Sequence, residues 1–417
     1  MIIIYRIIIN IILLISPIII LIRLIKKKED PKRFKEKFCF FSQKRNSGKT
    51  IWFHGASVGE IQSIVPLIEK LNKNEKIKTI LVTSNTLSSS KILQKLSLKK
   101  VVHQFFPIDT YFHTSKFLNY WKPSTAFFID SEIWPNMILN LKKNKIPIIL
   151  LNARITKKSF LRWKKFSLFS KKIFENFDLC LTANKISFKL LKKLGSHNIK
   201  FLGNLKFSQS ENDKVILKEN LKKFITTRKS WCASSTHDIE EKFCGLVHNE
   251  LKKKYANIFT IIIPRHIDRV ESIVNELKNL NLKVHIHGSK KMIKSDVDIY
   301  IVDEYGKTKS FYKFCKNIFL GGSLINHGGQ NPLEAARYGC NILHGPNTQN
   351  FTEIYSFLKH NKISKKVYNQ KQIVNHLHLL LSKKSDSKKI QKKLKLIGHK
   401  ILENTYKEVK LILDNEI

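Results

Sequence analysis

The strongest constraint on the fold is an alternation of short β-rich runs with amphipathic helical segments that begins at Lys49. In the first half, the strand candidates are Thr50–His54, Thr79–Thr83, Val101–Phe105, Thr125–Ile129, Ile146–Leu151, Leu179–Thr182 and Lys200–Leu202. After a polar, strand-poor stretch the pattern restarts, with candidates at Ser230–Ala233, Thr260–Ile263, Lys283–His287, Ile299–Val302, Ile318–Leu320 and Asn341–Leu343. Such alternation is typical of parallel sheets with crossover helices. The chain is therefore predicted to be an α/β protein of two doubly wound units, with ligands bound in a cleft between them.

A length of 417 residues is too great for a single ordinary core. The predicted parts are an N-terminal membrane anchor over 1–28, a Rossmann-like domain over 29–207, a linker over 208–228, a second Rossmann-like domain over 229–383 and a basic C-terminal helix over 384–417.

The amino terminus is almost continuous isoleucine and leucine over residues 2–25, and Lys26–Lys28 follow at once. A stretch of this length can cross about 30 Å of hydrocarbon, and the lysines would stay in the cytoplasm. An uncleaved single-pass anchor is favoured over a cleaved signal peptide, because no small-residue cleavage site precedes the lysines. A helix lying flat on the membrane is a less favoured alternative, because no polar face is evident.

The formal charge of +44 points to nucleic acid, an anionic membrane or an anionic substrate. An AT-rich coding bias accounts for the charge equally well, because Lys, Ile and Asn are abundant throughout. The chain carries no zinc-finger spacing and no aromatic-basic RNA-binding signature, so nucleic acid is not the predicted partner. Its six cysteines form no CxxC motif and are predicted to be reduced and mostly buried.

Polar residues follow several of the predicted strands. Glu60 stands on a glycine-bounded turn at the first helical turn after a strand. That is where an α/β enzyme places a catalytic base, although a helix-start glutamate stabilised by the helix dipole is the alternative. Asp130 and Glu132 follow another strand, and Lys206 ends the first domain. The usual doubly wound strand order would bring these carboxylates near Glu60.

In the second half, a strand leads into the loop Gly321–Gln330 with its two glycine pairs. Asn331 suits the N-cap and Pro332 the first position of the helix that follows. The loop is predicted to expose backbone N–H groups that bind phosphate at a positive helix end, and Glu334 is placed to accept hydrogen bonds from sugar hydroxyls. Arg265-His266 closes another strand and is predicted to clamp a phosphate or carboxylate.

Taken together, several stretches resemble the 3-deoxy-D-manno-octulosonic acid (Kdo) transferases of lipopolysaccharide synthesis, which are inverting glycosyltransferases of the GT-B fold. The matching stretches are the anchor, HGASVGE, DSEIWPN, LNARI, GNLKF, ASSTHDIEE, PRH and GGSLINHGGQNPLEAA. They run in order from residue 1 to about 350. The resemblance implies CMP-Kdo as donor, a lipid A precursor (lipid IVA) as acceptor, and a location at the inner membrane with the catalytic domains on its cytoplasmic face.

The resemblance also assigns roles to individual residues. Glu60 would be the general base, with transition-state support from Glu132, Asp130 and Lys206, while Ser57 and Gly59 would meet the acceptor. The expected contacts to the CMP part of the donor are Arg265, His266, Tyr305, Gly306, Lys307, Gly322, Ser323, Asn331, Pro332, Leu333 and Glu334. The first domain would thus bind the acceptor and the second the donor, without a metal.

The chain departs from the family pattern at three places. Gln330 stands where histidine is common, Ser208 replaces a frequent aspartate, and Asp238-Ile239 replaces Glu-Gly. Two alternatives stay open: another GT-B transferase that uses a UDP-sugar on a lipid acceptor, and a non-catalytic, membrane-tethered binder of anionic polymers.

Overall fold

The computed structural model describes residues 1–96, 98–209, 217–383 and 386–414. These residues form two compact units. Of these, residues up to 209 and from 397 onward belong to the first unit, and those from 217 to 396 belong to the second.

The first unit is built on a seven-stranded parallel sheet with the strand order β3-β2-β1-β4-β5-β6-β7. Its strands are β1 (Thr50–His54), β2 (Thr79–Ser84), β3 (Val101–Phe105), β4 (Thr125–Ile129), β5 (Ile148–Ala153), β6 (Leu179–Thr182) and β7 (Ile199–Phe201). All seven predicted strands are confirmed, and the largest difference is a two-residue shift of β5. The strands β1, β2, β4 and β5 are fully buried, as expected for strands covered by helices on both faces of a sheet.

Among the described residues of the first unit, one α-helix precedes the sheet and seven connect its strands. They are α1 (Ile2–Ile25), α2 (Val58–Asn72), α3 (Leu87–Lys95), α4 (Tyr111–Trp121), α5 (Pro135–Lys143), α6 (Lys157–Lys164), α7 (Ser167–Phe174) and α8 (Lys185–Leu194), with 3-10 turns at Phe34–Phe38 and Leu205–Ser208. On one face, Trp52 packs against Phe117 and Phe128 with ring centroids 4.9 and 5.4 Å away. The carboxyl ends of β1, β4 and β5 are therefore held at one rigid edge.

The second unit repeats the design, with the strand order β10-β11-β9-β8-β12-β13-β14. Its strands are β8 (Lys229–Thr236), β9 (Ile258–Pro264), β10 (Val284–Ile286), β11 (Ile299–Ile301), β12 (Asn317–Leu320), β13 (Asn341–His344) and β14 (Ser364–Lys366). Its helices are α9 (Glu219–Thr227), α10 (Glu240–Lys252), α11 (Val270–Lys278), α12 (Thr308–Phe314), α13 (Leu333–Arg337), α14 (Thr352–His360) and α15 (Gln370–Leu381), with a 3-10 turn at Ile267–Arg269. The six predicted strands are confirmed, and β14 was not predicted.

The last helix, α16 (Ser387–Asp414), continues the chain from the second unit into the first. Gly398 lies so close to the Phe207 carbonyl that a side chain there would collide with it. The Lys200 and Glu408 side chains pair at 2.7 Å. Of the predicted linker, residues 210–216 lie outside the described residues, and so do 384–385 and 415–417 of the predicted terminal helix. All six cysteines are unpaired and buried, as predicted.

Candidate active site

The turn after β1 places Glu60 in the first turn of α2. Ser57 is the N-cap, and its hydroxyl accepts the Glu60 N–H at 3.4 Å. In return, the Glu60 carboxylate accepts the Ser57 N–H at 3.4 Å, and these two reciprocal bonds form a capping box. The carboxylate also accepts the Ala56 N–H and the Ser57 hydroxyl, each at 2.7 Å. As a description of local structure, the helix-start alternative for Glu60 is therefore correct.

The capping contacts still leave Glu60 chemically competent. An ionised carboxylate offers about four acceptor positions, and the Ala56 N–H, the Ser57 N–H and the Ser57 hydroxyl take only part of this capacity. Burial raises the pKa of Glu60, and the hydrogen bond from Ser57 opposes this rise. The negative charges of Glu132 and Asp130 raise the pKa further. A carboxylate with a raised pKa is a stronger base near neutral pH.

Glu132, in the turn after β4, is oriented by a buried polar chain. Its Oε2 lies 3.2 Å from His54 Nε2 and accepts the Trp134 indole N–H at 2.9 Å. On the far side of the ring, His54 Nδ1 lies 2.9 Å from the Thr83 hydroxyl, which accepts the Trp52 indole N–H at 2.9 Å.

This chain restricts the proton positions. Burial lowers the pKa of His54, so the imidazole is neutral and carries one N–H. An indole can only donate, so the Thr83 hydroxyl accepts the Trp52 N–H, and its own proton can go to His54 Nδ1 or to the Phe53 carbonyl, 3.4 Å away. Where it goes to Nδ1, His54 donates from Nε2 to Glu132. His54 is wholly buried and its ring stacks 3.8 Å from that of Phe106, so the orientation of the ring is fixed.

Asp130 is the third carboxylate of the group, and it lies beside Lys206. It is only 8% exposed, and its backbone has a left-handed φ of 60°. Lys206 Nζ lies 3.8 Å from its Oδ2. Burial raises the pKa of Asp130, while the charges of Lys206 and Arg154 oppose that rise. The structure thus brings together the four predicted catalytic residues at the carboxyl end of the first sheet.

Ser57 and Gly59, predicted to meet the acceptor, are both exposed on the Glu60 turn. A methyl group at Gly59 would meet no atom within 4 Å, so this side of the turn is open. The prediction that these two residues bind the acceptor stays a prediction.

Sequence reasoning assigned no role to His54, Thr83 or Arg154. His54 carried a usable signal, because it is a polar residue at the end of an otherwise apolar strand. Arg154 N–H bonds the Asp130 carbonyl at 3.0 Å. Thr83 bonds His54 and Trp52, whereas the N-cap of α3 is Thr86, three residues further on.

In the second unit, the glycine-rich loop does not present its first amides to a ligand. The Glu240 carboxylate, 1% exposed, accepts the N–H groups of Gly322 at 2.7 Å and Ser323 at 3.1 Å. It also accepts those of Leu324 and His237, each at 3.0 Å. The prediction of exposed backbone donors is wrong for this part of the loop, because a buried carboxylate already satisfies them.

The helix after the loop also differs from its prediction. It begins at Leu333 rather than Pro332 and is only five residues long, with Pro332 as its N-cap. Asn331 still acts on the helix start, because its Oδ1 accepts the Leu333 N–H at 3.1 Å. Glu334 lies 3.8 Å from Lys309. A helix this short contributes little dipole, so positive potential in this region must come from side chains.

Those side chains form a cluster around His237. Its ring lies 4.2 Å from the His327 ring and 5.6 Å from the His266 ring. Burial, and then the neighbouring cations, including Arg265, lower the pKa of His237 to about 4. Gln330, where the family commonly has histidine, places its amide nitrogen 3.4 Å from His237 Nε2.

Around this cluster, Arg265, His266 and His327 are exposed. Asp238, at another departure from the family pattern, pairs with Arg269 at 2.5 Å. The cluster is therefore an accessible cationic surface suited to a phosphate, and His237 and His327 were not among the predicted site residues.

Tyr305, Gly306 and Lys307 lie in the turn between β11 and α12. The Tyr305 side chain is 60% exposed, Gly306 has a left-handed φ of 81°, and Lys307 pairs with Glu304 at 3.1 Å. Within the described ranges, no group of three or more His, Cys, Asp or Glu side chains is arranged to hold a metal ion.

Two α/β units, each with a seven-stranded parallel sheet, make this a protein of GT-B architecture. The solved UDP-GlcNAc 2-epimerase of Neisseria meningitidis shares the fold, with a TM-score of 0.59 and 14% identity over 86% of this chain and 100% of that one. The particular family follows from sequence. The chain belongs to the 3-deoxy-D-manno-octulosonic acid (Kdo) transferases, and is thus a glycosyltransferase.

The sequence matches cover most of the chain. The sequence model of the 3-deoxy-D-manno-octulosonic-acid transferase (kdotransferase) family matches residues 32–209. The Rickettsia bellii transferase is 33% identical over 87% of this chain and 87% of its own length. The Haemophilus influenzae transferase is 28% identical over 74% of this chain and 73% of its own.

Proposed function

We propose that this Kdo transferase takes Kdo from CMP-Kdo and adds it to a lipid A precursor at the cytoplasmic face of the inner membrane. The observation that carries the proposal is the Glu60 carboxylate, whose pKa is raised by burial, on an open turn beside Glu132, Asp130 and Lys206. A base needs this combination of basicity and access.

In the proposed reaction, Glu60 removes the proton from an acceptor sugar hydroxyl as that oxygen attacks the anomeric carbon of Kdo. The bond from this carbon to the CMP phosphate oxygen breaks, CMP leaves with the electron pair, and the configuration inverts. Base catalysis of this kind contributes on the order of 10²–10⁴ in rate. Lys206, held near Asp130, offsets the negative charge that the carboxylates and the anionic donor bring together.

The second unit is proposed to bind CMP-Kdo. Arg265 and His266 are the phosphate clamp, and the cluster around His237 extends it. The segments Tyr305–Lys307 and Asn331–Glu334 are proposed to surround the nucleoside. Gly322 and Ser323 shape this surface, while their amides stay bonded to Glu240. Fixed cations can stabilise the leaving phosphate, so the mechanism requires no metal.

The test is to incubate the purified chain with CMP-Kdo and lipid IVA and to follow the lipid by mass spectrometry. We expect the mass of Kdo to be added, and Glu60→Gln to reduce the rate by about 10²-fold or more. Glu69→Gln, an exposed glutamate on the same helix, is the matched control and should keep the wild-type rate.

Near-normal transfer by Glu60→Gln would contradict its role as base. A donor competition tests the nucleotide separately. CMP should inhibit transfer and UDP should not, whereas inhibition by UDP alone would favour the alternative of a UDP-sugar donor.

The membrane part of the proposal is carried by α1. It is the one helix of the described ranges that is long and apolar enough to cross a bilayer, by length and composition. We propose that it attaches the enzyme to the membrane that holds its acceptor. That it crosses the membrane once remains a prediction from sequence.

A further inference from the structure

We propose that α1 does not cross the bilayer but lies along the first unit, with its outer face in one lipid leaflet. The helix has a continuous inner stripe of residues that are at least partly shielded from solvent, at spacings of three or four. The residues that are not exposed are Ile2, Tyr5, Arg6, Ile9, Leu13, Ser16, Ile20, Arg23 and Leu24. Spacings of this kind mark one face of a helix that packs against protein.

Polar contacts fix the amino-terminal end of α1 to the first unit. The Tyr5 hydroxyl donates to the buried Asp109 carboxylate at 2.7 Å, and Arg6 Nε donates to Asn136 at 3.0 Å. The Arg6 guanidinium also lies over the Tyr111 ring, 4.8 Å from its centre. These contacts join the first turns of α1 to the starts of α4 and α5.

The carboxyl-terminal end is fixed as well. Arg23 pairs with the buried Glu29 at 2.6 Å, and Lys37 pairs with the same carboxylate at 2.6 Å. Residues 5 and 23 are roughly 27 Å apart along a helix, close to the thickness of the hydrocarbon core, about 30 Å. A crossing helix would carry Tyr5 to the opposite side of the bilayer from Lys26–Lys28. It could not then bond Asp109.

The outer face of α1 is a row of exposed aliphatic side chains. Its large apolar residues at 43% exposure or more are Ile3, Ile4, Ile7, Ile8, Ile11, Ile12, Leu14, Ile15, Ile18, Ile19, Leu21, Ile22 and Ile25. Apolar exposure continues beside the helix at Phe112 (67%) and Leu168 (86%). An apolar surface of this extent marks an interaction site.

A lipid leaflet is the occupant that fits this face. Aliphatic side chains bind acyl chains without specific partners, and Lys26–Lys28 at the end of the helix match anionic headgroups. The absence of a polar face had counted against a flat helix. The contacts remove that objection, because the side of α1 away from the lipid contacts protein and therefore needs no polar face toward water.

This placement sets the membrane beside the candidate active site, a consequence that rests on the proposed function. Asp109 accepts the Tyr5 hydroxyl and the N–H groups of Asn136 and Met137, at 3.0 and 2.8 Å. These residues begin α5, directly after the turn that holds Glu132. The leaflet that receives α1 would thus present a lipid-borne sugar at the edge of the sheet where the carboxylates are gathered.

The first test locates the amino terminus in cells. The full chain carrying Ile3→Cys is treated with a membrane-impermeant maleimide in intact spheroplasts and again after detergent. We expect labelling only after detergent, as for the control Met292→Cys, an 84% exposed site in the second unit. Labelling of Ile3→Cys in intact spheroplasts would show that the helix crosses and would overturn the proposal. The native cysteines are buried, and unsubstituted protein gives their background.

The second test measures depth. A fluorophore is placed on Ile4→Cys, Ile12→Cys or Ile22→Cys in the full chain, with vesicles of phosphatidylethanolamine and phosphatidylglycerol brominated at shallow or deep acyl positions. A flat helix predicts equal quenching at all three sites, strongest with shallow bromine. The proposal would be overturned if deep bromine quenched the fluorophore at Ile12→Cys most strongly while shallow bromine did so at Ile4→Cys and Ile22→Cys. It would also be overturned if no site were quenched. Neither test measures sugar transfer, so its failure leaves the proposed function standing.

Discussion

Two glutamates occupy corresponding places in the two units and have different surroundings. Glu60 and Glu240 each follow the first strand of their unit and stand in the first turn of the next helix. Glu240 is 1% exposed and accepts four backbone N–H groups. Glu60 is half-buried and keeps acceptor capacity on an open turn. Position in the fold therefore does not distinguish a carboxylate suited to catalysis from a structural one. The number of hydrogen bonds that each carboxylate already accepts does distinguish them.

The largest expected effect is on catalysis at Glu60. The change Glu60→Gln keeps the shape of the side chain and its acceptor oxygen but removes the basic carboxylate. We expect kcat to fall by about 10²–10⁴, while stability changes by about 1 kcal/mol or less, the usual scale of a helix cap. Steady-state transfer and denaturant unfolding measure the two quantities. A large loss of stability with unchanged kcat would give Glu60 a purely structural role.

The opposite pattern is expected at Glu240. The change Glu240→Ala leaves four backbone donors without their acceptor, three in the glycine loop and the fourth at His237. Each unsatisfied buried group costs about 1–3 kcal/mol before water enters. We expect the second unit to lose about 3 kcal/mol or more. Hydrogen exchange should show lost protection at the amides of Gly322–Leu324.

The control for Glu240 is Glu271→Ala, a change at an exposed glutamate on α11. It should change neither the stability of the second unit nor the hydrogen-exchange protection of the loop amides. If the loop amides stayed protected in Glu240→Ala, the carboxylate would not be what holds the loop, and the contrast with Glu60 would fail.

A smaller effect on kcat is expected at Thr83, which contacts Glu132 only through His54. The change Thr83→Val removes the hydroxyl between Trp52 and His54, so His54 loses the partner that can donate to its Nδ1 and thereby favour its proton on Nε2. We expect kcat to fall about tenfold, with little change in KM. This loss is smaller than the range of about 10²–10⁴ for a group that itself transfers the proton, because Thr83 acts through His54. Thr83→Ser restores the hydroxyl and should restore the rate. An equal loss in both variants would indicate a packing effect only.

The strands of both sheets could be predicted because buried parallel strands read as apolar runs, and the carboxyl ends of such strands identified Glu60, Asp130 and Glu132. The edge strand β14 was missed because Ser364-Lys365-Lys366 has no apolar character. The short α13 was misjudged because Asn331-Pro332 resembles an ordinary helix start, and nothing local shows that the helix ends after five residues.

Contacts distant in sequence could not be predicted. Glu240 lies more than 80 residues from the loop amides that it binds. Tyr5 lies 104 residues from Asp109. Apolar periodicity shows which face of a helix is buried where the other face is polar, but the outer face of α1 is aliphatic. The signal that the sequence did carry was the opposite one, because Tyr5, Arg6, Ser16 and Arg23 share the inner stripe.

The two units should also respond differently to pH. The pKa of Glu60 is raised, and a base works only when deprotonated. The rate should therefore fall with decreasing pH at values above the usual glutamate pKa of about 4.3. A raised carboxyl pKa also means that the fold binds this proton more tightly than the unfolded chain does. Glu60 therefore adds stability as pH falls through its folded-state pKa, and Glu60→Gln should abolish that gain. A pH-rate profile without such an acid limb would contradict the assignment.

The smallest effect is expected at His237, the centre of the cationic cluster. Its pKa is lowered to about 4, because burial and the neighbouring cations disfavour its charged form. It is therefore neutral between pH 6 and pH 8, and the Arg265 guanidinium supplies the permanent positive charge there. CMP affinity, measured by calorimetry, should change with pH in His237→Asn as it does in wild type, within about twofold. If the pH dependence disappeared in His237→Asn, His237 would be the group that becomes charged. The contrast between a titrating carboxylate in the first unit and a neutral histidine in the second would then fail.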